Sequence, residues 1–438
     1  MKKVLIFSLV YDQRFVGGAE IAVQEITGRI APERASFHMI TLRCDSNLPR
    51  EERVGNIRLF RVGFGKKNPS IADLSRFPLS LNKYLFPFLG CFKALLLERK
   101  YRYDATWSIM ANYAGFGALF FNFFYPKIPF ILTLQEGDPI PYIKRRVRFV
   151  YPLFQRIFTR ATVVQAISHY LAGFARDMDV AVPVYVIPNG VDIAKFLRWQ
   201  SHRESSTKSG QIPPMAKPPR VLDKVGTNSS DGKATESPRQ SRDKFQTEKL
   251  EVLRHQIGLG EGDKILITTS RLVEKNGVED IIESLTFLPP EVRLLVLGVG
   301  PLEEELKKRA ALLGVSSRVL FLGHVSYEHI PAYLHVAHVF VRPSLSEGLG
   351  NSFIEAMAAG LPVIATPVGG IPDFLRHEET GLFCEVKNPK SIAKAVARLF
   401  ADRILQEKVI ANARRLAHTK YTWDSITREF EEKIFSIS

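Results

Sequence analysis

The chain has 438 residues, 45% of them hydrophobic, and a formal net charge of +15; it is too long for one ordinary domain and apolar enough to bury sizeable cores. Its three cysteines, Cys44, Cys91 and Cys384, lie far apart with no CxxC or His-linked spacing, which argues against a disulfide framework or a zinc site and fits a reducing, cytosolic setting. The charge is uneven, about +12 over residues 1–195 and near neutral over 250–438, so the first half is expected to meet something anionic.

The opening MKKVLIFSLVYD places two lysines before an apolar run that stops at Tyr11 and Asp12 with no small-residue cleavage site. It predicts a buried first strand rather than a signal peptide. Gly17 and Gly18 follow, just before a helix. Adjacent glycines at a strand-to-helix turn let backbone N–H groups approach an anion; a plain turn is the competing reading, and no full GxGxxG fingerprint is present. Short apolar runs then recur (KVLIFSL, FHMITL, IRLFRVG, DATWSIM, PFILTL, TVVQAIS, YVIPNGV), with helical stretches over 19–31, 80–99 and 168–176. That alternation predicts a doubly wound parallel-sheet domain over residues 1–195.

The most apolar stretch, AGFGALFFNFFYPKIPFIL over 114–132, is broken by Asn122, Pro126, Lys127 and Pro129, well short of the ~20 apolar residues that span a bilayer. It reads as a buried helix and then a buried strand. The run IKRRVRFVYPLFQRIFTR from Ile143 to Arg160 mixes bases with aromatics, which suits an anionic membrane surface better than nucleic acid. A solvated helix face is the alternative, and no nucleic-acid-binding module is recognisable.

Over 196–249 the composition turns to Ser, Pro, Lys, Thr and Gln, a disordered insertion or linker that cannot bury enough apolar surface to offset its conformational entropy. Strand-like runs return (KILITTSRL, VRLLVLGVG, RVLFLGHV, HVFVRPS, PVIATPVG, GLFCEV), interleaved with helical patterns. They predict a second doubly wound domain over 250–415. Residues 416–438 end in TWDSITREFEEKIFSI, a helix with Thr422 as N-cap that is expected to pack back on the first domain. Two such domains enclose a cleft between the carboxyl ends of their strands, where ligands bind.

The candidate site residues lie at those strand ends. Arg271 and Lys275 follow KILITTS and can clamp a diphosphate; for Lys275 a surface salt bridge with Glu274 is equally open. Gly298 closes the next strand and leaves room for a flat ligand. In SLSEGLGNSFIEAMAAG, Glu347 precedes a turn of Gly348, Leu349 and Gly350, and Asn351 and Ser352 begin a helix carrying Glu355. The backbone N–H groups there can bind an anion, and Glu355 can accept bonds from hydroxyls. Ordinary surface charges are the competing reading for both glutamates.

The run from Arg342 to Gly370 closely resembles the donor-site motif of the family 4 retaining glycosyltransferases, which have the two-domain GT-B fold. Further likenesses are GGAE at 17–20, VIPNGVD at 186–192, SRLVEKNGVEDIIES at 270–284, VLGVGPLEEELKK at 296–308 and VLFLGHV at 319–325. Together they cover nearly the whole chain outside 199–249. The resemblance implies two Rossmann-like domains facing a central cleft. It implies that Glu355 holds the ribose, that Glu347 faces the transferred sugar, and that Arg271 with Lys275 clamps the diphosphate, while Gly17 and Gly18 offer backbone amides. Gln135, Glu136 and Asp138 fall on the acceptor side.

It further implies no metal and no cofactor beyond the donor, a UDP-, GDP- or ADP-sugar. The reaction is expected to transfer a hexosyl unit with retention to a glycan or lipid-linked acceptor, in cell-surface polysaccharide or glycolipid synthesis. The setting is cytoplasmic, peripheral on the inner face of the membrane, with no nucleic acid as partner. Three features depart from the pattern. Asn276 stands directly before Gly277, where a lysine is usual, and Lys275 lies one place earlier. Gln135 replaces a histidine and can offer a hydrogen bond but no proton transfer. The long linker is the third. A non-catalytic nucleotide-binding or scaffolding protein on the same frame is the alternative.

Overall fold

The first strand, β1 (Lys2–Phe7), carries consecutive apolar residues because both of its faces are buried: Val4 and Ile6 enter one core cluster, Leu5 and Phe7 another. It is the centre of an eight-stranded sheet with β2 (Ala35–Leu42), β3 (Glu51–Val54), β4 (Ile57–Val62), β5 (Ala105–Ile109), β6 (Phe130–Leu134), β7 (Val163–Ala166) and β8 (Val184–Val186). The strand order is β3-β4-β2-β1-β5-β6-β7-β8. All neighbours are parallel except the edge strand β3, which forms an antiparallel hairpin with β4. The computed structural model describes residues 1–11, 17–69, 73, 76–197 and 248–436. The linker expected over 196–249 therefore lies almost wholly outside the described residues.

The crossover helices are α1 (Gly18–Arg29), α2 (Leu81–Tyr101), α3 (Tyr113–Phe124), α4 (Ile140–Arg146), α5 (Tyr151–Thr159), α6 (His169–Arg176) and α7 (Ile193–Leu197). Phe86 of α2, Phe121 of α3 and Phe154 of α5 share the cluster of Leu5 and Phe7. Ala22 and Val23 of α1 cover the opposite face.

The second sheet contains β9 (Lys264–Thr269), β10 (Val292–Leu297), β11 (Val319–Gly323), β12 (Val339–Arg342), β13 (Val363–Ala365) and β14 (Leu382–Phe383). Its order is β11-β10-β9-β12-β13-β14, parallel throughout. The helices around it are α8 (248–256), α9 (Val278–Ser284), α10 (Glu303–Leu312), α11 (Ile330–Val336), α12 (Asn351–Ala358), α13 (Pro389–Ala401) and α14 (Arg403–Lys420). Two doubly wound domains thus face each other, as expected. The order reverses direction beside β1 in one sheet and beside β9 in the other, and such switch points open a crevice at the strand carboxyl ends.

The last helix, α15 (Trp423–Phe430), starts at Thr422, whose hydroxyl accepts from the Ser425 N–H at 3.2 Å. It lies on the N-terminal domain. The Trp107 and Phe430 rings are 4.9 Å apart, Arg29 pairs with Asp424 at 2.8 Å, and the Val191 N–H donates to the Tyr421 carbonyl at 2.7 Å. The C-terminal end of the chain therefore ties the two domains together.

Candidate active site

Helix α12 builds the centre of the cleft. Gly350, at its N-cap, has φ +88°, and a Cβ there would lie 2.5 Å from the Phe353 ring, so only glycine makes this entry without strain. The turn returns Glu347 to the helix mouth, where its carboxylate is buried and paired with the Arg342 guanidinium. Arg342 also donates to the Ser352 hydroxyl at 2.7 Å and to the Asn276 side-chain oxygen at 3.3 Å, and stands 5.1 Å over the Phe353 ring.

Glu355 lies about one turn into the helix, on its buried face. Burial pushes its carboxyl up to about 7, while a hydrogen bond from Tyr327 and the charges of Lys195 and Arg342 pull the other way. Tyr327, on the loop after β11, has its own ionisation driven far up by burial, with the nearby Glu355 charge adding to it. The Lys195 ammonium, carried by α7 of the N-terminal domain, sits 4.2 Å from the Tyr327 ring centroid. Each domain therefore contributes a side chain beside Glu355.

The strand-end loops on the N-terminal side meet those on the C-terminal side directly. Lys275 reaches across to the Gly137 carbonyl at 2.7 Å and Asp138 at 3.0 Å, so it does not pair with Glu274. Ser346 adds a bond to the same Gly137 carbonyl at 3.3 Å. A Cβ on Gly348 would sit 2.5 Å from the Glu136 carbonyl oxygen. Glu136 accepts from the Ala111 N–H at 2.7 Å through one oxygen, while the other is buried without a partner. Burial raises its carboxyl to about 7, with the Asp138 charge adding to the effect. Gln135 accepts from the buried Asn189 at 3.1 Å.

The expected residues divide by position. Glu347, Gly348, Gly350, Asn351, Ser352, Lys275, Gln135, Glu136 and Asp138 come together around the cleft. Gly18 joins them, since a Cβ on it would stand 3.7 Å from the Asn351 amide nitrogen. Gly17 does not offer its N–H freely, because the Glu20 carboxylate accepts it at 2.9 Å. Leu349 is buried in the core, which leaves its backbone as the only part able to meet a ligand. Arg271 is exposed at the end of β9, its carbonyl held by Asn276 at 2.7 Å. Gly298 packs against that strand end, a Cβ there falling 1.9 Å from the Ser270 carbonyl oxygen. Arg342, Tyr327, Lys195 and Asn189 were missed as site residues. Asn189 lies within VIPNGVD and Arg342 opens the donor motif, so both stretches carried a signal; Tyr327 and Lys195 meet only through the fold.

Two family models match, one per domain: Glycosyltransferase Family 4 over residues 16–195 and glycosyl transferases group 1 over 251–416. Among curated relatives, an uncharacterized glycosyltransferase of Methanocaldococcus jannaschii is 34% identical over 40% of this chain and 46% of its own length. A GDP-mannose-dependent alpha-(1-6)-phosphatidylinositol monomannoside mannosyltransferase of Mycobacterium tuberculosis is 34% identical over 41% and 49%. The chain spans about half the length of the curated relatives it matches. Among solved structures, Anabaena Alr3699/HepE in complex with UDP and glucose superposes with a TM-score of 0.69 at 19% identity, with both chains fully covered. Sucrose-phosphate synthase of Thermosynechococcus elongatus gives 0.74 at 20%, also with full coverage of both. These likenesses establish the GT-B fold.

Proposed function

The chain belongs to the glycosyltransferases, its halves being Glycosyltransferase Family 4 and group 1 domains, and from that premise we propose that it transfers a hexosyl unit from a nucleotide-diphosphate sugar to a glycan or lipid-linked acceptor, retaining anomeric configuration and needing no metal. One observation carries this reading: Glu347 and Glu355 bracket the start of α12, with Arg271 and Lys275 at the end of β9 and the Gln135–Asp138 loop opposite. Glu355 accepts the ribose hydroxyls of the nucleotide. Glu347 fixes the hydroxyls of the transferred sugar, while Arg271, Lys275 and the N–H groups at the mouth of α12 stabilise the diphosphate as negative charge grows on it.

In the transfer step the acceptor oxygen forms a bond to the anomeric carbon on the face the diphosphate leaves. The carbon–oxygen bond to the phosphate breaks with its electron pair remaining on the diphosphate, and that phosphate oxygen takes the acceptor's proton. No protein base is required for this balance, which suits a site where Gln135 stands without proton-transfer capacity. In this reading Lys275 exchanges Asp138 for the diphosphate when donor binds.

The acceptor is proposed to be lipid-linked and reached at the inner face of a membrane. Supporting this, α2, α3 and α4 expose aromatic side chains beside Lys144, Arg145, Arg146 and Arg148, and the name of the mycobacterial relative specifies a lipid acceptor. No helix among the described residues is long and apolar enough to cross a membrane.

The test is a panel of UDP-, GDP- and ADP-sugars scored for nucleotide release, with Glu355→Gln as control. One nucleotide class is expected to be turned over, and the substitution to lower that turnover about 100-fold. If no donor reacts and calorimetry finds no binding of UDP or GDP, the chain is a scaffold on a glycosyltransferase frame.

A further inference from the structure

We propose that Arg342 is the positioning residue of the donor site, fixing Glu347 and Arg271 relative to each other through Asn276; this rests on the transferase reading above. The Arg342 guanidinium holds one oxygen of the Glu347 carboxylate, which aims the other at the cleft, 3.9 Å from where a Gly137 Cβ would stand. It also bonds Asn276 and Ser352. Asn276 is itself buried and donates to the Arg271 carbonyl at 2.7 Å. A continuous hydrogen-bonded path thus runs from the carboxylate facing the sugar to the strand end carrying the exposed Arg271.

Stability alone is a poor reason for this arrangement. A buried ion pair is often no better than apolar residues of the same volume, and the Arg342 Nε is buried without a partner, which carries its own desolvation cost. Nor does Arg342 contact a ligand directly, since Glu347, Asn276, Ser352 and the Phe353 ring surround its guanidinium. What the pair supplies is geometry: small displacements of a group that grips a reacting sugar are costly to turnover. Without Arg342, Glu347 has no fixed partner and the loop bearing Arg271 loses its tie to α12.

The experiment compares Arg342→Met, Arg342→Lys, Glu347→Gln and the Arg342→Met/Glu347→Gln double variant on the donor that the wild type turns over. Arg342→Met is expected to lower kcat about 100-fold with KM and nucleotide-diphosphate Kd within about threefold, because ribose and base contacts lie elsewhere. Lysine keeps one bond to Glu347 and should regain about tenfold. The double variant should be slowed by less than the product of the two single losses, since only the tie to Arg271 through Asn276 remains for Arg342 to lose once the carboxylate is gone. A kcat loss under about threefold, losses that multiply in the double, or a nucleotide affinity that falls as far as turnover overturns the proposal.

If the wild type turns over no donor, the transferase reading fails by itself, and the pairing is decided by melting temperature. Arg342→Met then leaves a buried, unpaired carboxylate and should lower Tm by several degrees, which adding Glu347→Gln should largely restore. Additive losses would sink the coupling.

Discussion

The fold alters the chemistry of Glu355 in a way that a pH titration reads. Its carboxyl rises from 4.5 to about 7 because the site buries it, so the folded chain holds this proton more tightly than the unfolded one. The sign follows: its contribution to stability is greatest below pH 4.5 and falls as pH climbs to about 7, by on the order of 3 kcal/mol. Glu136 shifts the same way and adds a similar decline. Glu355→Gln should therefore flatten about half of the loss of thermal stability between pH 4.5 and 7.5, as scanning calorimetry would read it. Ribose hydroxyls donate to the ionised form, so nucleotide affinity should tighten as pH rises to about 7 and level off above, and Glu355→Gln should abolish that dependence. A pH-independent wild-type affinity would remove Glu355 from the ribose site. Glu347 and Glu355 were legible as motif residues, because the Gly-rich turn and the eight-residue spacing are local. The environment of Glu355 was not, since Tyr327 and Lys195 come from a loop and a helix far away in sequence.

At the scale of elements, the sequence is plainest where strands are continuous apolar runs buried on both faces, as in β1, β6 and β9. It is least plain at β3, where Glu51, Glu52 and Arg53 carry no apolar signal because the strand is an edge with alternate residues exposed. The outer helices hold a feature visible only once they are packed. Leu81, Phe88, Phe92 and Leu96 recur on one exposed face of α2, and Phe123 and Phe124 of α3 are exposed beside it. The Tyr84 and Tyr113 rings (5.4 Å) and the Phe88 and Phe120 rings (5.5 Å) join the two helices. On α4, Arg145 and Arg146 stand 5.7 Å from the Tyr142 ring, and Arg148 lies 4.5 Å over the ring of Phe149, which is 85% exposed. An apolar face fringed by cations fits an anionic bilayer. Each basic residue at such a surface is worth about 1 kcal/mol. Reversing Lys144, Arg145 and Arg146 to Glu should therefore weaken co-sedimentation with phosphatidylglycerol vesicles by more than about 100-fold. Replacing Phe88, Phe92 and Phe149 by Ser should weaken binding to anionic and neutral vesicles alike, and unchanged partition of both variants would remove the membrane from the account.

At the scale of the molecule, the strand-end loops of the two sheets interlock beside the site, in addition to the ties made by α7 and by the C-terminal end of the chain. The Lys275 ammonium bonds Gly137 and Asp138, the His169 N–H donates to the Asp373 carboxylate at 2.7 Å, and the Gly348 backbone meets that of Glu136. The Lys275 and Asp373 side chains can rotate or exchange partners for a ligand, whereas the Gly348 contact is backbone against backbone. Gly348 lies outside the left-handed region, so Gly348→Ala adds no local strain. It adds only a methyl group 2.5 Å from a carbonyl oxygen of the other domain, a clash no rotamer can relieve. The two loops must separate, taking Glu347 away from Gln135 and Glu136. With saturating nucleotide, small-angle scattering should give a larger radius of gyration for this variant than for the wild type. Turnover should fall about tenfold because donor and acceptor groups no longer meet at bonding distance, while Tm moves by no more than about 2 °C because neither core is touched. Gly173→Ala is the control, since a Cβ there meets nothing within 4 Å on α6, and all three quantities should match the wild type. Equal scattering and equal turnover for Gly348→Ala would mean that catalysis does not pass through the close approach of the Gly348 and Glu136 loops.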